Sequence, residues 1–118
     1  MLLRILRSKL HRAVVTAADV DYVGSITIDE DLIDAAGLVP GEIVLVADLN
    51  NGNRLETYVM AGPRRSGTVC MNGAAARLID VGDRIIVMAW GMVEASEARQ
   101  VQPTVLVLDA HNHIAQRL

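Results

Sequence analysis

No phenylalanine occurs in the chain of 118 residues, tryptophan occurs once and tyrosine twice. A core without aromatic bulk must be built from Val, Ile, Leu, Met and Ala, and apolar residues are 52% of the sequence. A chain of this length buries roughly 65% of the surface its unfolded form exposes, enough for a core without staples. The single cysteine, Cys70, excludes an intrachain disulfide and any cysteine metal cluster, and it suits a cytoplasmic protein. Positive charge is also scarce. Eleven Lys and Arg against 14 Asp and Glu give a net charge of -3, which argues against a nucleic-acid groove. The densest basic stretch, Arg4, Arg7, Lys9, His11 and Arg12, has no interleaved aromatics on which bases could stack, but it could receive a small anion. No apolar run approaches a membrane span. The N-terminal MLLRILRSKLHR is broken by cations, unlike a signal peptide. No linker, low-complexity tract, nucleophile-elbow motif or phosphate loop is visible, so residues 1–118 read as one domain.

What is present reads as mainly β. Short Val- and Ile-rich runs separated by turn residues predict strands over Leu2–Leu6, Arg12–Thr16, Val23–Ile28, Ile43–Asp48, Arg54–Ala61, Thr68–Met71, Arg84–Trp90 and Thr104–Leu108. Asn51-Gly52 is a strong hairpin turn, and Gly62-Pro63 and Ser66-Gly67 bound the next loop. Asp29 can cap a helix over Glu30–Ala36 that Gly37 ends. Gly73–Leu78 predicts another short helix, and Ala95–Arg99 a turn. LVPGEIVLV (Leu38–Val46) is echoed by IDVGDRIIV (Ile79–Val87), each placing a Gly-acid pair before a β run. A pseudo-twofold β barrel would produce such an echo, and barrel closure would remove the edges that so many apolar strands expose.

Candidate chemistry is thin when each residue is taken alone. His111 and His113 in HNH would share one face of a strand, but two histidines without a third ligand do not make a metal site. Cys70 reads as a small buried residue. The run YVGSIT (Tyr22–Thr27) is the oddity. It sets a Gly-Ser pair inside a strand-like run, either as a bulge or as a place where the serine hydroxyl acts on its own backbone.

The neighbours of that pair carry a resemblance. SKLHRAVVTAADVDYVGSITID (Ser8–Asp29), NGNRLETY (Asn51–Tyr58), MNGAAARLIDVGDRIIV (Met71–Val87) and EARQVQPTVLVLD (Glu97–Asp109) together resemble the bacterial pyruvoyl-dependent aspartate 1-decarboxylase family, in order and spacing over nearly the whole chain. The resemblance implies a double-psi β-barrel with a few short helices. It implies a homotetramer with active sites at subunit interfaces, and the decarboxylation of L-aspartate to β-alanine for pantothenate and coenzyme A synthesis. It also implies a precursor that cleaves itself between Gly24 and Ser25, giving pieces 1–24 and 25–118.

In this reading Ser25 attacks the Gly24 carbonyl and ends as an N-terminal pyruvoyl group. That group forms a Schiff base with the substrate amine and serves as the electron sink, so neither a metal nor pyridoxal phosphate is needed. Gly24 is taken to permit the backbone geometry of the attack, with Thr57 and Asn72 orienting groups by hydrogen bonding. Arg54 grips a substrate carboxylate, Lys9 is a second cation, and His11 is a structural or substrate-contacting polar group. Tyr58 donates the proton, and Tyr22 lines the site. Gly73, Ala74 and Ala75 allow close backbone approach and present N–H groups. Some family members carry Trp at position 47, where this chain has Ala47, which would widen one wall. Two other readings share the Val-rich strands: a non-catalytic β-barrel module that binds a small anion or a protein partner, and a decarboxylase for another acidic amino acid.

Overall fold

Alternation decides the first element. In the computed structural model, which describes residues 1–118, Ser8 and Leu10 are buried while Lys9 and His11 are half-exposed, and the chain is a single strand β1 over Leu2–Val14. The sequence predicts two strands here with a break at Arg7–His11. The break is absent because the Ser8 hydroxyl, though it points inward, donates to the Ala36 carbonyl at 2.7 Å and is satisfied. Irregularities remain where the pattern slips, between Leu6 and Ser8 and between His11 and Ala13, and Arg12 adopts a φ of 67°.

The remaining elements follow in order: β2 (Ala17–Asp19), β3 (Ser25–Asp29), α1 (Glu30–Ala36), β4 (Ile43–Asp48), β5 (Arg54–Gly62), β6 (Val69–Asn72), a 3₁₀ turn (Gly73–Arg77), β7 (Arg84–Glu94), a second 3₁₀ turn (Ala98–Gln100), β8 (Thr104–Leu108) and β9 (Ile114–Arg117). The helix has the predicted bounds. Asp29 accepts from the Asp31 N–H, and Gly37 closes it at a φ of 70°. The turn spacing does not predict two of the strands, β2 and β9. The HNH stretch is not a strand but the turn between β8 and β9, with Asn112 at a φ of 60°. Asn112 explains that turn: it is 3% exposed, and its side chain bonds Val14 N, Val14 O and Gly67 O. Composition hid this because an Asn between two His reads as a polar tail.

The nine strands form one sheet in the order β2-β6-β3-β5-β4-β7-β1-β8-β9. Only Val15 and Thr16 separate β1 from β2, yet these strands stand six places apart in that order. A sheet whose distant strands are joined by so short a link must roll up, and Thr16 N bonds the Val69 carbonyl at 2.8 Å across the seam. Its inner face holds the aliphatic core, including Leu10, Ile26, Ile28, Val44, Val46, Val59, Met71, Ile85 and Leu106. The mainly β class with few short helices is as the turn spacing predicts. No helix is long and apolar enough to cross a membrane.

The internal echo has a structural meaning. Gly41 and Gly82 take φ values of 90° and 91°, and each turn carries an acid that reaches back: Glu42 accepts from Val39 N and Asp83 from Asp80 N, both at 3.1 Å. The strands that follow, β4 and β7, pair antiparallel with Val46 opposite Val87, the equivalent residue of the other copy. The pseudo-twofold axis therefore passes through that pair.

One buried group beside this turn is poorly satisfied. Asp48 is 2% exposed; its Oδ1 accepts from Asn50 N at 2.7 Å, while its Oδ2 has no partner. Burial first, and the neighbouring Asp83 carboxyl second, push the Asp48 carboxyl above its ordinary value of 3.8. The folded chain thus holds this proton more tightly than the unfolded chain, and stability is lost as pH rises from 3.8 through the raised folded value. Asp48→Asn keeps the Oδ1 acceptor and supplies an N–H toward Asp83. At pH 7 it should stabilise the fold by about 1 kcal/mol, a gain of roughly 3–5 °C in Tm. The gain should vanish in melts near pH 3.8, and an equal gain at both pH values would show that the carboxylate charge is not its source.

Candidate active site

Strand pairing brings the Gly-Ser pair to three distant residues. β3 runs antiparallel to β6 with Ser25 opposite Asn72 and Thr27 opposite Cys70. On its other side β3 runs parallel to β5 with Ile26 beside Val59. One step back along that register, Ser25 stands at the level of Tyr58. Ser25 is 1% exposed and Asn72 3%. The Asn72 amide fills the space between them: Nδ2 donates to Ser25 Oγ at 2.9 Å and to Thr27 Oγ1 at 3.0 Å, while Oδ1 accepts from the Cys70 thiol at 3.2 Å. Asn72 precedes the 3₁₀ turn but does not cap it, because its side chain is committed to these partners. Burial first, and the Asp19 carboxylate second, push the Cys70 thiol up, so it stays a donor at neutral pH.

The conformational demand falls on a different glycine from the one expected. Gly24 does not have a left-handed φ, and a Cβ there would meet nothing nearer than the Asn72 carbonyl oxygen at 3.9 Å. Gly73 has a φ of 69°, and a Cβ on it would lie 2.7 Å from Gly24 Cα, 2.9 Å from Gly24 N and 3.1 Å from Tyr22 O. Gly73 is what lets the 22–24 backbone lie against the start of the 3₁₀ turn.

Beside Gly24 opens a cavity of about 530 Å³ lined by Gly24, Thr57, Tyr58, Asn72, Ala74 and Ala75, with Ile43, Leu55 and Leu78 as apolar walls. Tyr58 is half-buried at its rim. Tyr22 is 58% exposed and does not line it.

Lys9, His11 and Arg54 stand elsewhere. Arg54 is opposite Ala47, Ala47 opposite Ile86, and Ile86 opposite His11, so these four share one row across β5, β4, β7 and β1. Three strand spacings separate Arg54 from His11, about 14 Å. Lys9 lies two rows away, opposite Met88. Ala47, 5% exposed, sits between the two ends of the row. Neither Lys9 nor Arg54 is in an ion pair or side-chain hydrogen bond within the chain. Burial, then the Lys9 and Arg12 cations, push the His11 imidazole below its ordinary value of 6.5, and its Nδ1 is buried without a partner. At neutral pH His11 is therefore an uncharged hydrogen-bonding group and not a third cation.

The predicted residues thus form two sets within one chain, one around the cavity beside Gly24 and a cationic set across β5 and β1 that does not line it. Sequence reasoning missed Thr27 and Cys70. The period of two in S-I-T and in C-M-N sets Ser25 with Thr27 and Asn72 with Cys70 on one face each, but only the pairing of β3 with β6 makes them one polar block. His111 and His113 lie in their turn with ring centroids 6.2 Å apart, and no three metal-ligating side chains converge anywhere in the chain.

Comparison with known proteins agrees with the motifs. A family model described as aspartate decarboxylase matches residues 1–115. An aspartate 1-decarboxylase of Moorella thermoacetica is 58% identical over 93% of this chain and 86% of its own. One of Corynebacterium efficiens is 55% identical over 97% of this chain and 84% of its own. One of Carboxydothermus hydrogenoformans is 52% identical over 98% of this chain and 91% of its own.

Proposed function

The chain belongs to the aspartate decarboxylase family, and we propose that it converts L-aspartate to β-alanine and carbon dioxide for pantothenate synthesis in the cytoplasm, using a pyruvoyl group made from its own Ser25. The observation that carries the reading is a buried serine hydroxyl, bonded at 2.9 Å by Asn72, which together with Gly24 and Tyr58 lines the adjoining cavity.

Maturation follows from these residues. Ser25 Oγ bonds to the Gly24 carbonyl carbon as the Gly24–Ser25 C–N bond breaks, and the hydroxyl proton passes to the freed amine. Loss of the Ser25 Cα proton then breaks the Cβ–Oγ bond, releasing the Gly24 carboxylate and leaving dehydroalanine at 25. One water replaces its nitrogen, released as ammonia, and a keto group remains. Asn72 Nδ2 faces the oxygen on which negative charge grows in the second step, and Thr57 stands in the same cavity wall.

The site fits the group: a cavity lined by Gly24 and Asn72, the chain neighbour and the bonding partner of Ser25, can receive a substrate, and the Asn72 amide is a donor that a carbonyl oxygen at 25 can accept from. A pyruvoyl carbonyl supplies condensation with the substrate amine and a sink for the electron pair left when carbon dioxide departs. Tyr58 Oη, a phenol donor lining the cavity, returns a proton to that α-carbon. The small Ala74 and Ala75 leave room for the substrate in the cavity, Gly73 lets the 22–24 backbone lie against that turn, and Tyr22, exposed in one chain, is free to close over a neighbour's site.

Lys9 and Arg54 are cations without acidic partners, suited to the carboxylate that stays on the product. Neither cation lines the cavity of the same chain, and beside them stand half-buried Leu45, Ile86 and Met88. This arrangement supports a homotetramer in which one chain's cationic row, with neutral His11, completes the cavity of the next.

The test is product formation. Fully cleaved protein should release β-alanine from L-aspartate in preference to glutamate turnover, and cleaved protein that releases none would overturn the assignment. Tyr58→Phe should cleave normally, keep KM, and lose about 10²–10⁴-fold in kcat. A loss of only a few-fold would remove Tyr58 as the proton donor.

A further inference from the structure

The polar block around Asn72 contains two side chains with no role in that reaction, and we infer that Cys70 and Thr27 are positioning residues that hold the Asn72 amide in the one orientation that serves self-cleavage. The inference rests on the proposed Gly24–Ser25 cleavage. A carboxamide has two ends of nearly equal shape. If it turned over, Oδ1 would face Ser25 Oγ and Thr27 Oγ1, and both hydroxyls could rotate to donate to it. Those hydroxyls alone therefore do not choose the orientation.

The far end of the amide does. The Cys70 thiol lies 3.2 Å from Asn72 Oδ1 and 3.9 Å from its other acceptor, the Met71 carbonyl. A thiol donates to a carboxamide oxygen better than its sulfur accepts from an amino group. With the oxygen end held by Cys70, the amino group is directed at Ser25 with one hydrogen and at Thr27 with the other. Thr27 Oγ1 then fixes the tilt of the amide, because it receives the hydrogen that Ser25 does not.

The orientation matters when the Cβ–Oγ bond breaks. Negative charge then develops on Oγ, and an N–H aimed at it stabilises the departing carboxylate. The inverted amide would set the lone pairs of Oδ1 against that oxygen and slow the step. The four residues stand in two facing pairs on β3 and β6, Ser25 opposite Asn72 and Thr27 opposite Cys70, so the strand register itself builds the device.

The experiment follows cleavage by intact mass over time in the full chain. Cys70→Ala and Cys70→Val, which remove the donor with and without loss of volume, should each slow cleavage roughly three- to tenfold, the worth of one modest hydrogen bond. Cys70→Ser, which keeps a donor, should cleave at close to the parent rate. Thr27→Val should be slowed by a similar factor, and Thr27→Ser should not. Ala and Val at position 70 cleaving at the parent rate, or Ser as slow as Ala, would overturn the inference while leaving the cleavage reading intact. A parent chain that never cleaves would overturn both.

Discussion

Ser25→Ala should be a folded, uncut chain that makes no β-alanine from L-aspartate. Position 25 opens β3 opposite Asn72 and is 1% exposed, so alanine fits the strand and the burial. The amide loses one acceptor but keeps Thr27 Oγ1 at 3.0 Å, which limits the cost to about 1 kcal/mol. What disappears is the hydroxyl that chain connectivity sets one residue after the Gly24 carbonyl. Without it no ester forms, no bond breaks, and no keto group exists to take the electrons of decarboxylation. The loss should be complete rather than partial, since no other side chain in the cavity can supply an electron sink. Intact mass and β-alanine release read it directly. The parent should give two fragments, the larger beginning at residue 25 and reactive toward a carbonyl reagent. Measurable turnover by the uncut alanine chain would mean that the carbonyl does not come from Ser25.

Local chemistry was legible in the sequence and long-range pairing was not. Asp29 and Gly37 bound α1 because capping and a left-handed stop are decided within one turn of chain. The Gly-acid echo at Gly41-Glu42 and Gly82-Asp83 could be read as a repeat for the same reason, and the structure turns it into a twofold pairing at Val46 and Val87. β1 reads as two pieces because a buried serine looks polar until its acceptor, 28 residues away at Ala36, is known. The same blindness affected the site. Gly24, Ser25, Thr57, Tyr58 and Asn72 are legible as motif residues, and the cavity gathers all of them but Ser25, which lies buried next to Gly24; Thr27 and Cys70 join the block only because β3 pairs with β6, which sets Thr27 opposite Cys70 and against Asn72, 45 positions away. Which glycine carries the steric demand was also a matter of tertiary contact. Composition cannot separate Gly24, which has space around it, from Gly73, which has none.

Gly73→Ala should therefore cripple maturation more than any change at Gly24 made for size alone. Two costs combine. A φ of 69° is disfavoured for alanine by roughly 1 kcal/mol, and the new methyl would sit 2.7 Å from Gly24 Cα and 2.9 Å from Gly24 N. Those atoms are backbone, not the end of a flexible side chain, so the 22–24 segment itself must move. Gly24 carries the carbonyl that Ser25 attacks, and displacing a reacting atom by about 1 Å costs about 10²-fold in rate. Cleavage should slow by at least that factor, while the strands, which do not pass through this contact, still form. Gly82→Ala is the matched control. Its φ is 91° and nothing lies within 4 Å of the added Cβ, so it carries the conformational cost without the collision. It should lose stability yet cleave at the parent rate. If Gly73→Ala also cleaved at the parent rate, the close approach of residues 24 and 73 would have no part in setting the scissile bond.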